Sequence, residues 1–188
     1  MSASHRSQQH RGGARKSRAA HRLLLLLLSG LPIAASPMSP AQAQTVPPVP
    51  AEATAQVAAF VTEASQRFGI PVAWIRALIR VESANDARAV SSKGAMGLMQ
   101  IMPDTWAYLR ARYRLGSDPF DPRDNIIAGT AYMRELYDRY GAPGFLAAYN
   151  AGPGRYDDYL ANGRPLPAET RAYVAQLTPL VGGEASPA

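Results

Sequence analysis

The chain has 188 residues, 47% of them hydrophobic and 18% charged, with 16 Pro, 15 Gly and no Cys. This suits one domain with a core, and it excludes a fully disordered chain, a coiled coil, disulfides, a thiol nucleophile and a lipid-modified cysteine. The formal charge of +6 belongs to residues 1–43, which hold Arg6, Arg11, Arg15, Lys16, Arg18, Arg22 and no acid; the 14 basic side chains left over balance the 14 acids.

In chain order, the basic stretch ends at Arg22 and an apolar run, Leu23 to Ala35, follows it. A Pro/Ser segment leads to Ala41-Gln42-Ala43. This is the pattern of a secretory signal with cleavage before Gln44. The run is broken by Pro32 and falls short of the roughly 20 residues that a spanning helix needs. Retention of this segment as an anchor is the alternative. His5, His10 and His21 all lie in the leader. A mature chain therefore has neither His nor Cys, which excludes Ser–His–Asp and Cys–His chemistry and the common zinc sites. A nucleic-acid partner rests on leader charge alone and loses its support on cleavage.

Residues 44–51 (Gln-Thr-Val-Pro-Pro-Val-Pro-Ala) read as a Pro-rich linker. The domain is expected over residues 52–181, with 182–188 as a disordered tail. Val57, Phe60, Val61, Ala64 and Phe68 recur at helical spacing, and Gly69 stops that helix. Pro71 opens a second helix with Ile75, Leu78 and Ile79 as its stripe. Pro103 opens a third, through Trp106 and Leu109. Asp124 or Asn125 is expected to cap a fourth, Ile126 to Tyr140, ended by Gly141. A short fifth follows Pro143, and Glu169 to Leu177 makes the last. No segment alternates with period 2. The fold class is mainly α, a single domain with at most a small β-hairpin around residues 90–101.

Three places break the pattern. On the second helix, the position after Ile75, Leu78 and Ile79 on the stripe is Glu82. A carboxyl there faces apolar neighbours and the negative end of the helix dipole, and both raise its pKa. Such a group can donate a proton near neutral pH. Alternatively Glu82 bends outward into solvent. Next, Gly94 and Gly97 allow close backbone approach, and Gln100 holds an amide between Met99 and Ile101, either packed against a partner or solvated. Last, Tyr149 and Asn150 precede a Gly152-Pro153-Gly154 turn. They suit sugar recognition, or else form a core residue and a helix cap.

Taken together, Glu82-Ser83, Gly97-Leu98-Met99-Gln100-Ile101, Ala148-Tyr149-Asn150-Ala151-Gly152-Pro153-Gly154 and Glu169-Thr170-Arg171-Ala172-Tyr173-Val174 come in an order and spacing that resemble the soluble lytic transglycosylase (SLT) family. These are lysozyme-like enzymes that cut bacterial peptidoglycan. Asp118-Pro119-Phe120-Asp121-Pro122 is also similar to that family, whereas Gly141–Gly144 is shorter than its usual helical lead-in. The resemblance covers roughly residues 55–180. It implies a lysozyme-like fold, Glu82 as the catalytic acid/base, and Ser83, Met99, Gln100, Tyr149 and Asn150 as substrate-binding residues. Gly97, Glu169 and Tyr173 carry over as supports.

The implied reaction cleaves the β-1,4 bond between N-acetylmuramic acid and N-acetylglucosamine and leaves 1,6-anhydro ends. It calls for no metal and no organic cofactor. Candidates for a second carboxylate are Asp86 and Asp104, and both are poorly placed. The partners implied are peptidoglycan glycan strands, with envelope-spanning secretion or conjugation machinery as a further one; the chain is expected to be an exported monomer of the periplasm or cell envelope. A hydrolytic muramidase and a non-catalytic peptidoglycan-binding module remain the alternatives.

Overall fold

Residues 125–131, Asn-Ile-Ile-Ala-Gly-Thr-Ala, carry no charge on any face, so a helix running through them belongs inside other helices. The structure, a computed structural model, describes residues 50–181. Among the described residues it contains seven helices: α1 (Pro50–Phe68), α2 (Val72–Ser83), α3 (Pro103–Tyr113), α4 (Pro122–Tyr140), α5 (Gly144–Ala151), α6 (Pro153–Asn162) and α7 (Ala168–Val181). Every residue from Asn125 to Ala131 is buried, and α4 is the central element. Helices α1, α3 and α5 pack on it, while α7 packs on α2 and α5.

The expected periodicity is what folds. Val61, Ala64, Ile75, Leu78, Ile79, Trp106 and Leu109 all lie in the core. Trp74 stacks on Phe145 with ring centroids 5.5 Å apart, joining α2 to α5. The mainly α class holds. Pairing around residues 90–101 is limited to two isolated antiparallel bridges, Val90 with Met96 and Met96 with Ile101. No helix among the described residues is long and apolar enough to cross a membrane.

Two boundaries and one element differ from expectation. Helix α1 begins at Pro50, inside the stretch read as linker. Proline fits a first turn because its missing N–H has no partner there anyway. Helix α4 starts before Asp124: Asp121 is the cap, and its Oδ1 accepts the Asp124 N–H at 2.8 Å. Helix α6 has no counterpart in the expected elements; none of its residues is fully buried, and Tyr156 only partly packs against the core. The segments read as signal (1–43), most of the linker (44–49) and tail (182–188) lie outside the described residues.

Candidate active site

Helix α2 ends one residue past Glu82. Ala84 (φ 52°) and Asn85 (φ 69°) are both left-handed, an unusual conformation for two successive non-glycines. The Ala84 N–H closes the helix on the Arg80 carbonyl at 3.1 Å. Glu82 is thus held on the last turn, partly buried, beside the α7 residue Tyr173. The Tyr173 hydroxyl donates to Glu82 Oε1 at 2.6 Å. Burial raises the Glu82 pKa to about 7, and the Tyr173 hydrogen bond opposes part of that rise. Burial, with the charge of Glu82 added, pushes the Tyr149 and Tyr173 hydroxyls well above their ordinary value, so both stay neutral.

The turn from Gly97 to Gln100 faces this carboxyl. Gly97 is left-handed (φ 74°), and a Cβ there would lie 2.5 Å from Asn125 Nδ2. Gln100 is also left-handed (φ 49°). Its side-chain Nε2 donates to the Gly97 carbonyl at 2.8 Å and the Ala89 carbonyl at 3.2 Å, which offsets the strain. Both amide protons are used in this way, and Oε1 is left as an acceptor.

Beneath the turn lies Asn125, fully buried in α4. Its Oδ1 accepts the Met99 N–H at 2.8 Å, and its Nδ2 donates to the carbonyls of Met96 (3.0 Å) and Pro119 (2.8 Å). Above it, the Tyr149 hydroxyl donates to the Met99 carbonyl at 2.8 Å. Helices α4 and α5 therefore hold the two successive peptide units that flank Met99.

Two adjoining cavities, of about 330 Å³ and 500 Å³, share Lys93, Gln100, Met102, Tyr149, Asn150 and Glu169 in their walls and form one groove. The smaller contains Glu82. The larger adds Tyr132, which lies against Tyr149 with centroids 5.4 Å apart, and the Gly152-Pro153 turn. Asn150 Oδ1 accepts from Thr170 Oγ1 at 2.8 Å, so its amide protons are available to a ligand. Gln100 can accept and Asn150 can donate. That pairing suits an N-acetyl group and sugar hydroxyls. The carboxylates in the walls are Glu82 and Glu169. Glu169 is ion-paired to Lys93 at 2.5 Å. Neither Asp86 nor Asp104 lines the groove, and the Asp86 carboxylate accepts the Arg88 N–H instead.

Of the residues expected at the site, the structure brings Glu82, Gln100, Tyr149, Asn150 and Glu169 to one groove, with Tyr173 and Gly97 supporting them. Two others are turned away. The Ser83 hydroxyl donates to its own helix at the Ile79 carbonyl, 3.0 Å away, and is buried. The Met99 side chain points into the core, where its sulfur lies 3.9 Å from Thr130 Oγ1 and occupies the space that Gly129 leaves. Met99 contributes its backbone only. Tyr149 presents its ring, since its proton is given to Met99. The sequence reading missed Asn125, Thr170 and Lys93 as site residues. Asn125 was expected only as a helix cap, and Thr170 stood only as part of the Glu169–Val174 motif.

The site is thus one partly buried acid in an amide-lined groove of a helical domain. Residues 59–170 match the Transglycosylase SLT domain family, and the chain belongs to that family. It is 40% identical over 100 residues to the soluble lytic murein transglycosylase of Escherichia coli (strain K12), which covers 50% of this chain and 16% of that protein. It is 37% identical over 90 residues to the transglycosylase of Enterobacteria phage PRD1, covering 47% of this chain and 32% of that one. Among solved structures, an inactive glutamate-to-glutamine mutant of the lytic transglycosylase Slt from Pseudomonas aeruginosa superposes with a TM-score of 0.58 at 30% identity. That match covers 65% of this chain and 23% of that one. The 70-kDa soluble lytic transglycosylase of Escherichia coli gives 0.57 at 34% identity, over 63% of this chain and 22% of the other. The chain thus spans about one-sixth of the first relative's length.

Proposed function

We propose that this chain is a lytic transglycosylase cutting the β-1,4 bond between N-acetylmuramic acid and N-acetylglucosamine in peptidoglycan. The observation that carries the reading is the groove's carboxylate inventory: one acid poised near pH 7 and one already neutralised by Lys93. Protonated Glu82 gives its proton to the leaving glycosidic oxygen as the bond to muramoyl C1 breaks. The positive charge on that ring is met by the substrate's own N-acetyl oxygen, because the groove supplies no second unpaired carboxylate. Ionised Glu82 then takes the proton of the muramoyl 6-hydroxyl, whose oxygen bonds to C1 and closes the anhydro ring. The proton lost in the first step is regained in the second, and no water is consumed. The intramolecular hydroxyl outcompetes water because it arrives already positioned.

Gln100 and Asn150 act on the sugar's amide and hydroxyl groups, and the Tyr149 ring forms a wall. Digestion of purified peptidoglycan is expected to yield muropeptides ending in 1,6-anhydro-N-acetylmuramic acid, each lighter by one water than a hydrolase product. Mass spectrometry showing mainly reducing ends would assign the hydrolytic reaction instead.

The same reading places the enzyme in the cell envelope, with residues 1–43 as an export signal and glycan strands as the substrate. Amino-terminal sequencing of the protein from the envelope fraction is expected to begin at Gln44. A mature form beginning at Met1 would mean that the leader is retained.

A further inference from the structure

A serine or threonine hydroxyl inside a helix has a ready acceptor in the carbonyl four residues back. Thr62, Ser83 and Thr178 use it, donating to the carbonyls of Ala58 (3.0 Å), Ile79 (3.0 Å) and Val174 (2.7 Å). Thr170 does not. It lies in the first turn of α7, so the carbonyl four residues back is that of Leu166, which precedes the helix and accepts from the Arg171 side chain. Thr170 is fully buried, and its hydroxyl reaches across to α5, where Asn150 Oδ1 takes the proton at 2.8 Å. Among the described residues the Asn150 side chain makes no other hydrogen bond.

A buried hydroxyl proton needs an acceptor. Turning the Asn150 amide over would bring Nδ2 to the Thr170 oxygen and leave the Thr170 proton unsatisfied in the interior. That penalty disfavours the turned amide by roughly tenfold or more. The amide is therefore held with Oδ1 inward and its N–H groups toward the groove that Asn150 lines. One turn further along α7, Tyr173 holds Glu82 at 2.6 Å. One face of one helix thus orients both the acid and the amide. This inference rests on the transglycosylase reading. We propose that Thr170 is a positioning residue for that reaction: by giving its proton to Asn150 it makes Asn150 a donor, and not an acceptor, toward an oxygen of the bound sugar.

The test measures kcat and KM of the full chain on soluble glycan strands, for Thr170→Val and Thr170→Ser, each in the wild type and in Asn150→Ala. Valine keeps the shape of threonine and removes the proton. Thr170→Val is expected to raise KM about fivefold, the worth of one neutral hydrogen bond, with kcat and the pH profile unchanged. Thr170→Ser, which keeps the proton, should keep the wild-type KM. In Asn150→Ala, Thr170→Val should cost nothing more, because its effect passes through the amide. A wild-type KM in Thr170→Val would overturn the proposal. So would an equal rise in the Asn150→Ala background, which would make Thr170 a support of the fold. A displaced pH profile would overturn it too, by placing the effect at Tyr173 and Glu82. A wild type that cleaves no glycan strand would overturn the transglycosylase reading itself, and the proposal with it.

Discussion

Glu82→Gln is expected to abolish cleavage, by roughly a thousandfold or more, while making the folded chain more stable at alkaline pH. Glutamine keeps an oxygen to accept the Tyr173 hydroxyl, so the α2–α7 contact survives. It cannot give or take the catalytic proton. The stability effect follows from the raised pKa, about 7 against 4.5. The folded form holds this proton more tightly than the unfolded chain does. The associated stability is therefore full below about pH 4.5 and is lost as pH rises through about 7. The loss amounts to about 3 kcal/mol. Glu82→Gln, which has no charge to bury, should escape it. Denaturant unfolding of both proteins should give similar stabilities at pH 4 and a clear advantage for the variant at pH 8. Turbidity clearing by the folded variant at the wild-type rate would remove Glu82 from the mechanism.

Asn125→Leu should cost the most stability of any single change near the groove. The side chain satisfies three backbone groups in the interior, the Met99 N–H and the Met96 and Pro119 carbonyls. Leucine fills similar space and satisfies none of them. Leaving such groups buried and unpaired costs about 3 kcal/mol or more in total, equivalent to a fall in Tm of roughly 10 °C. The turn carrying Gln100 should loosen as well, so cleavage should weaken beyond what the fraction unfolded explains. A thermal melt within a degree or two of wild type would show that the turn is held by other contacts.

The helices were legible because burial writes a period into them. Ile75, Leu78 and Ile79 announced the buried face of α2, and Glu82 showed as the one residue at odds with it. The rest depended on partners far along the chain. Tyr173 reaches Glu82 across 91 residues, Lys93 reaches Glu169 across 76, and Asn125 reaches Met99 across 26. Nothing local marks such pairs. The family resemblance placed Ser83 in the groove, and residue type suggested that Tyr149 offers its hydroxyl to a sugar. The backbone claimed both first, at the Ile79 and Met99 carbonyls. Helix α6 escaped notice for another reason: it is short, and its stripe of Tyr156, Tyr159 and Leu160 is only partly covered. The family resemblance supplied the order of the motifs, and the packing supplied what each side chain is free to do.

The account depends on Glu82 being a carboxylic acid, and not a carboxylate, as it meets the substrate. The direct measurement is an NMR titration of the glutamate side-chain carboxyl carbons, with Glu82 assigned by the signal missing from Glu82→Gln. The account predicts a midpoint near 7, moving higher in Tyr173→Phe because the tyrosine hydrogen bond lowers the pKa. A midpoint near the ordinary 4.5, unmoved by Tyr173→Phe, would contradict it.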